Sequence, residues 1–193
     1  KGCAELVAGS YRRSFFHDLG IGIASVRAGN VIGGGDWAND RLIPDILRSF
    51  ELKEPVIVRN PKATRPWQHV LEPLSGYLLL AQLLYSEPKI YSEGWNFGPN
   101  EKDVKPVHWI LDKMTLRWPN ASWKADDNVN LHEAGFLKLD ISKAKDRLNW
   151  KPVWELDKTL EKIVIWHNAW ICKNDMQHLC LDEINNYTKD MNK

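Results

Sequence analysis

Cysteine is scarce in this chain, with three among 193 residues. Cys3, Cys172 and Cys180 are too few and too irregularly spaced for a disulfide framework or a zinc site, which suits a reducing cytoplasm. The chain also lacks an excess of charge of either sign, with 26 lysines and arginines against 25 aspartates and glutamates. This balance gives no electrostatic footprint for nucleic acid, so we expect no nucleic-acid partner.

Long apolar runs are absent as well. No stretch of the sequence reaches the length that crosses a bilayer, and the first residues show no secretory signal pattern. We therefore expect a cytoplasmic protein without a membrane partner. Asp36 and Asp40 could be imagined as a metal-binding pair, but they lack a supporting set of ligands, so no metal is predicted.

Hydrophobic periodicity predicts alternating helices and strands, which is typical of an α/β fold. The predicted helices are 1–19, 43–52, 71–85, 107–118, 142–148 and 157–172, and the predicted strands are 21–26, 56–58, 68–70 and 95–97. The side chains expected to be buried are Leu6, Phe15 and Phe16 in the first helix, the leucines 78–80, 83 and 84 in the third, and the tryptophans 150, 154, 166 and 170. The polar tail 174–193 is either a docking helix or partly disordered.

The segment 27–44 carries the strongest functional signal. It reads Arg-Ala-Gly-Asn-Val-Ile-Gly-Gly-Gly-Asp-Trp-Ala-Asn-Asp-Arg-Leu-Ile-Pro and lies between a predicted strand and a predicted helix. Ligands of open α/β sheets bind beyond the carboxyl ends of the strands, so the glycines, which leave backbone open, and the cation of Arg41 suit a ligand site. The alternative is a flexible connection, because glycine runs mark loops more often than sites.

Several motifs together resemble the extended short-chain dehydrogenase/reductase family. They are Arg27-x-x-Asn30-Val31-x-Gly33, Arg41-Leu42-Ile43-Pro44, the segments 65–73 and 95–99, His132-Glu133-Ala134, Leu137-Lys138-Leu139-Asp140 and Ser142-Lys143-Ala144. The resemblance implies the carboxyl-terminal part of a Rossmann-type doubly wound parallel sheet and a small α/β substrate-binding domain. The sheet part would comprise about 1–30 and 65–100, and the substrate-binding part about 31–64 and 101–173.

The family opens with a Gly-x-x-Gly-x-x-Gly turn that holds a dinucleotide, and this sequence has no such opening. Lys1 matches the lysine of the family's Tyr-x-x-x-Lys pair, so the resemblance implies a carboxyl-terminal fragment whose tyrosine lies upstream. The implied activity is NAD-dependent 4,6-dehydration of the nucleotide sugar CDP-glucose, in deoxysugar and O-antigen biosynthesis. We expect the fragment alone to be inactive and the full-length enzyme to form a homo-oligomer.

The resemblance also implies roles for single residues. Lys1 would be catalytic, and the cofactor NAD would contact Lys1, Arg27 and Val31. The substrate would contact Asn30, Arg41, Leu42, Val58, Arg65, Asn96, His132 and Glu133. The two arginines would hold the diphosphate, because a planar guanidinium pairs with phosphate oxygens. The plainer alternatives are surface ion pairs for the arginines and turn or strand-end caps for the asparagines.

Two other functions stay open. A nucleotide-sugar epimerase or reductase would share the Arg-x-x-Asn-Val-x-Gly motif and the lysine, although the Gly-Gly-Gly-Asp-Trp loop argues against it. The other is a non-enzymatic module for nucleotide-sugar binding or assembly. His69 could be mistaken for a catalytic base, because histidine titrates near neutrality, but its strand context favours a hydrogen-bonded, partly buried structural residue.

Overall fold

The computed structural model describes residues 1–126 and 135–193, which form eight α-helices and seven β-strands. In chain order these are α1 Gly2–Tyr11, β1 Ser25–Ala28, β2 Asn30–Ile32, α2 Leu42–Leu52, β3 Val56–Val58, β4 Thr64–His69, α3 Leu71–Ser86, α4 Pro88–Tyr91, β5 Gly94–Phe97, β6 Val104–Pro106, α5 Val107–Thr115, β7 Trp123–Ala125, α6 Ser142–Leu148, α7 Leu156–Ile171 and α8 Met176–Met191. A π-helical turn, Arg12–Phe16, continues α1, and a 3-10 turn, Glu101–Asp103, precedes β6.

The strands form three small sheets in which parallel pairing dominates. β1 pairs with β5, so that Ser25 lies opposite Gly94 and Ala28 opposite Phe97. β2 pairs parallel with β4, which also pairs antiparallel with β6. β3 pairs parallel with β7. Because parallel strands end at the same edge, the segments that follow β2 and β4 leave their sheet on one side.

Two clusters of buried apolar side chains join these elements. The larger cluster packs α2, β3, α5 and α7 together, and its fully buried members include Ile46, Ile110, Leu111, Met114, Leu160 and Ile163. The smaller cluster surrounds β5 and includes Leu80, Trp95, Phe97, Ile141, Ala144, Leu148 and Trp150. Burial of an aliphatic side chain contributes about 1.5–3 kcal/mol, whereas an exposed ion pair contributes about 1 kcal/mol or less. Each large aliphatic residue buried in these clusters therefore contributes more to stability than an exposed ion pair does.

The smaller cluster also bears on the predicted division of the chain. Residues 141–150 pack with β5, although the sequence places them in the substrate-binding part and β5 in the sheet part. The two parts thus share a core at this point. The division itself stays a prediction.

The first helix is shorter and more exposed than predicted. α1 ends at Tyr11, and Leu6 and Phe15 are 75% and 59% exposed, while Phe16 is half-buried. The prediction that Leu6 and Phe15 face inward is wrong. α1 instead attaches to β1 through a polar contact, because the Glu5 carboxylate accepts hydrogen bonds from side chains of that strand.

Two further details differ from the prediction. β1 begins at Ser25 rather than at residue 21, because the ladder with β5 starts where Ser25 meets Gly94. In α3, Leu80 is buried but Leu78 is 74% exposed, since only one face of a helix can lie against a sheet. The other predicted helices and strands are confirmed to within a few residues at their ends.

The tail forms α8, which docks through a buried polar network. Tyr187 of α8 is buried, and its hydroxyl donates a hydrogen bond of 2.8 Å to Oε2 of Glu72. Glu72 is fully buried in the first turn of α3, and its carboxylate also accepts from the backbone N–H groups of Val153 and Trp154 at 2.9 and 2.7 Å. Burial raises the pKa of Glu72, and the hydrogen bonds it accepts oppose that shift. Of the two alternatives for the tail, the docking helix is confirmed.

His69 belongs to the same buried region. Its side chain is 1% exposed, Nδ1 accepts from the Leu71 N–H at 3.3 Å, and Nε2 lies 3.1 Å from Oε1 of Glu183 on α8. The Trp154 ring packs on it with a centroid separation of 5.0 Å. A histidine enclosed in this way agrees with the structural interpretation rather than with an open catalytic base. No helix within residues 1–126 or 135–193 combines the length and the apolar character needed to cross a bilayer.

Candidate functional site

Two adjoining cavities lie beside the connection between β2 and α2. The first has a volume of about 550 Å³, and we name it the Lys1 cavity after the lysine at its border. The second has a volume of about 280 Å³, and we name it the Arg65 cavity. Of the residues that the structure describes, four border both cavities: Asn30, Arg41, Leu42 and Trp67. The shared wall means that one elongated ligand can occupy both cavities.

The positions of these side chains follow from the ends of the strands and helices. Asn30 begins β2, and Arg41 precedes α2 with an extended backbone. Val58 is the last residue of β3, and Arg65 lies on β4 opposite Lys105 of β6. Of these positions, Val58 lies at the carboxyl end of its strand, the end at which open α/β sheets bind their ligands, whereas Asn30 and Arg65 lie toward the amino ends of theirs.

The structure brings most of the predicted site residues together. Those that border one or both cavities are Lys1, Asn30, Val31, Arg41, Leu42, Val58 and Arg65. His132 and Glu133 lie outside the described residues. Among residues 1–126 and 135–193, no group of three or more histidines, cysteines, aspartates and glutamates is placed to hold a metal ion. The roles assigned to single residues stay predictions.

Arg27 and Asn96 border neither cavity and contact each other instead. They lie opposite one another on β1 and β5, and Nη1 of Arg27 donates to Oδ1 of Asn96 at 2.9 Å. Nε of Arg27 also donates to Glu5 at 2.7 Å, and this hydrogen bond, helped by one from Ser25, lowers the pKa of Glu5 to about 2. Asn96 donates in turn to the Asp140 carbonyl at 3.0 Å. These contacts give both side chains protein partners, so their ligand roles rest on the resemblance alone.

Sequence reasoning missed two charged residues of the Arg65 cavity, Asp45 and Arg59. Asp45 lies in the first turn of α2, and its Oδ1 is 3.2 Å from Nη2 of Arg48. Burial raises the pKa of Asp45, Asp40 acts in the same direction, and Arg48 and Arg59 lower it. Arg59 follows directly on β3, and that position at a strand's carboxyl end is the signal that could have revealed it. With Arg41 and Arg65, it places three arginines at one cavity.

The glycine run is packed against α7. A Cβ on Gly34 would lie 2.2 Å from Cγ of Trp166, and Gly35 has a φ of +75°, which favours glycine. The ring of Trp37 packs on Trp170 with a centroid separation of 4.4 Å. Gly34 and Gly35 nevertheless remain exposed on their other side, so the ligand role of the glycine run and its alternative, a flexible connection, both stay predictions.

This packing serves the cavity. Asp36 and Ala38, the neighbours of Trp37, border the Lys1 cavity, so α7 holds that part of its wall in place. The expected burial of the four tryptophans is confirmed for Trp150 and Trp154, which are both 4% exposed. Trp166 is half-buried, and the expectation is wrong for Trp170, which is 41% exposed and packs on Trp37.

Gly34→Ala is expected to lower the free energy of unfolding by about 1–3 kcal/mol, the usual cost of overpacking. The new methyl group would overlap the Trp166 ring, so either the loop or α7 must move. Urea unfolding measures the effect. Gly2→Ala is the control, because a Cβ there meets no described atom within 4 Å, and alanine in a helix is neutral or stabilising. Equal stabilities of Gly34→Ala and the wild type would contradict the packing.

The chain is related in sequence to a known enzyme. It is 58% identical over 193 residues to CDP-glucose 4,6-dehydratase of Salmonella typhimurium, and the match covers 97% of this chain and 54% of the relative. The chain therefore spans about half the length of the curated relative it matches. No family model matches the chain.

Solved structures share its fold. UDP-glucuronic acid 4-epimerase from Bacillus cereus, in complex with UDP-glucuronic acid and NAD, superposes with a TM-score of 0.69 at 19% identity, over 86% of this chain and 50% of that one. The dTDP-glucose 4,6-dehydratase of Bacillus anthracis, in complex with NAD, gives a TM-score of 0.67 at 17% identity, over 86% and 49%. At such identities the likeness concerns the fold alone. It confirms the predicted Rossmann-type α/β class.

Proposed function

We propose that this chain, a relative of CDP-glucose 4,6-dehydratase with the fold of the extended short-chain dehydrogenase/reductase family, is the substrate-binding part of an NAD-dependent nucleotide-sugar 4,6-dehydratase. The reaction converts CDP-glucose into CDP-4-keto-6-deoxyglucose and water. The observation that carries the proposal is the convergence of the sequence-assigned lysine, asparagine and arginines on two adjoining cavities. The identity to the relative supports the choice of substrate.

The arginines support a diphosphate ligand. Arg41 borders both cavities, and Arg65 borders the smaller one. A diphosphate bridge between the cavities would meet both guanidinium groups, whose planar donors match phosphate oxygens. The hexose then occupies the Lys1 cavity, the nucleoside occupies the Arg65 cavity, and Asn30 in the shared wall offers both a donor and an acceptor to the sugar.

The residues of the Lys1 cavity fit the ribose end of NAD. Lys1 and Val31 both border it, and the ammonium of a lysine is a compact donor that can bind ribose hydroxyls and orient them. NAD held beside Lys1 and Val31 would supply hydride transfer, from C4 of the hexose and back to C6. The positive charge of Lys1 favours a deprotonated hydroxyl beside it, since an opposite charge stabilises the ionised form.

Several broader assignments belong to the same proposal. They are a homo-oligomeric enzyme in the cytoplasm, a place in deoxysugar and O-antigen biosynthesis, and the division into a sheet part and a substrate-binding part. The epimerase alternative has the support of shared fold only, so we do not favour it. A non-enzymatic binding module would use the same arginines and differs in the absence of turnover by the longer protein.

Calorimetric titration with CDP-glucose tests the proposal. We expect the 193-residue chain to bind CDP-glucose, and to bind glucose 1-phosphate about tenfold or more weakly, because that ligand has one phosphate and loses at least one charge-assisted hydrogen bond. Circular dichroism provides the control for folding. A folded chain that does not bind CDP-glucose, or binds both ligands equally, would contradict the proposed function.

A further inference from the structure

The end of the Arg65 cavity remote from Lys1 carries a pair of opposite charges that the proposed function has not used. Asp45 and Arg59 border this cavity and do not border the Lys1 cavity. If the hexose lies near Lys1 and the diphosphate lies near Arg41 in the shared wall, the chain of ligand atoms continues toward Asp45 and Arg59. The nucleobase is the part of the ligand that reaches them.

The walls of this end suit a planar base. Val56, Ile57 and Val58 of β3 border the cavity. The side chains of Val56 and Val58 are buried in the larger apolar cluster, so β3 offers the face of a ring its backbone and the exposed side chain of Ile57. Asp45 comes from the first turn of α2, and Arg59 from the residue after β3. The two charged groups therefore approach from different elements and can meet the edge of the ring rather than its face.

The edges of the two common pyrimidines differ in their order of donors and acceptors. Cytosine presents the N4 amino donor and then the N3 and O2 acceptors, whereas uracil presents the O4 acceptor, the N3–H donor and the O2 acceptor. A carboxylate only accepts, and a guanidinium only donates. Asp45 can accept from N4 of cytosine while Arg59 donates to N3 and O2. With uracil, the carboxylate would face O4 and the guanidinium would face N3–H, and both contacts would be unfavourable.

We propose that Asp45 and Arg59 select the base of the nucleotide sugar, binding cytosine in preference to uracil. The proposal rests on the proposed function, because it assumes that the diphosphate binds near Arg41. Two other charged groups act on Asp45: Arg48 is 3.2 Å from Oδ1, and Asp40 borders the same cavity. Arg48 contacts one carboxylate oxygen, and the base would take the other. Cytosine is preferred because Asp45 and Arg59 are both hydrogen-bonded to it, whereas uracil leaves donors or acceptors at its edge without a partner.

The test compares CDP with UDP on the 193-residue chain by calorimetric titration. We expect the wild type to bind CDP at least about tenfold more tightly than UDP, which lies within the range for one good base contact. Asp45→Asn should weaken CDP binding and bring the ratio to about threefold or less, because an amide can turn its NH₂ toward O4. Arg59→Gln should also reduce the ratio. Glu54→Gln is the control, because Glu54 is exposed and borders neither cavity, and it should leave the ratio unchanged.

The outcomes separate the two proposals. A wild-type ratio within about twofold, or a ratio that neither Asp45→Asn nor Arg59→Gln changes, overturns base selection while binding of CDP-glucose still supports the proposed function. Absence of binding for CDP, UDP and CDP-glucose overturns both. UDP binding by each variant, at or above the wild-type affinity, shows that the variant is folded. If one of the two variants binds neither CDP nor UDP, the other variant serves as the test, because Asp45 and Arg59 lie on separate elements.

Discussion

Glu72→Ala is expected to lower the free energy of unfolding by about 3–5 kcal/mol, because it leaves buried donors without a partner. The carboxylate accepts from the backbone N–H groups of Val153 and Trp154 and from the hydroxyl of Tyr187. Each unsatisfied buried donor costs about 1–3 kcal/mol, and relaxation around the smaller side chain recovers part of the total. Chemical denaturation, together with the thermal midpoint, measures the loss.

Two variants calibrate this result. Glu87→Ala removes an exposed glutamate at the other end of α3 and should change stability by about 0.5 kcal/mol or less. Tyr187→Phe removes one of the three donors and keeps the ring that packs on Trp154, so its effect should fall between the other two. A Glu72→Ala variant no less stable than Glu87→Ala would show that the network does not hold the tail.

The network matters for the site because it fixes the position of α7. Glu72 holds the segment that leads into α7, and α8 contacts α7 through the indole N–H of Trp166, which donates to Sγ of Cys180 at 3.3 Å. Trp166 in turn lies under Gly34. The tail therefore supports α7, and α7 supports the loop whose neighbouring residues border the Lys1 cavity.

Sequence alone predicted the elements whose signal is local. The strands 56–58 and 95–97 and the helix α2 were predicted correctly because their apolar spacing follows from the period of the structure itself. Leu6 and Phe15 were placed wrongly because burial depends on what packs against a helix, and periodicity carries no information about the neighbour.

The site residues likewise fall into those that a local motif identified and those that it did not. Arg41 and Arg65 belong to contiguous motifs, so resemblance identified them, and the structure places both at the Arg65 cavity. Asp45 and Arg59 belong to no quoted motif, and their proximity appears only once α2 and β3 are folded together. Glu72 lies inside a matched motif, yet its three hydrogen bonds come from residues about 80 and 115 positions away, and no local pattern encodes these.

Arg41→Ala and Arg65→Ala are each expected to weaken CDP-glucose binding by about 1.5–3 kcal/mol, the range for hydrogen bonds to charged groups, and the double variant by about 3–6 kcal/mol. Arg13→Ala is the control, because Arg13 lies on the π-helical turn and borders neither the Lys1 cavity nor the Arg65 cavity. Calorimetry with CDP-glucose measures the loss, and in the full-length protein, which would include the dinucleotide-binding turn, the affinity for NAD should change little. An equal loss for both ligands would indicate misfolding. If the double variant binds CDP-glucose with the same affinity as the weaker single variant, only one guanidinium contacts the diphosphate. That result would contradict a diphosphate held in the wall that the two cavities share at Arg41.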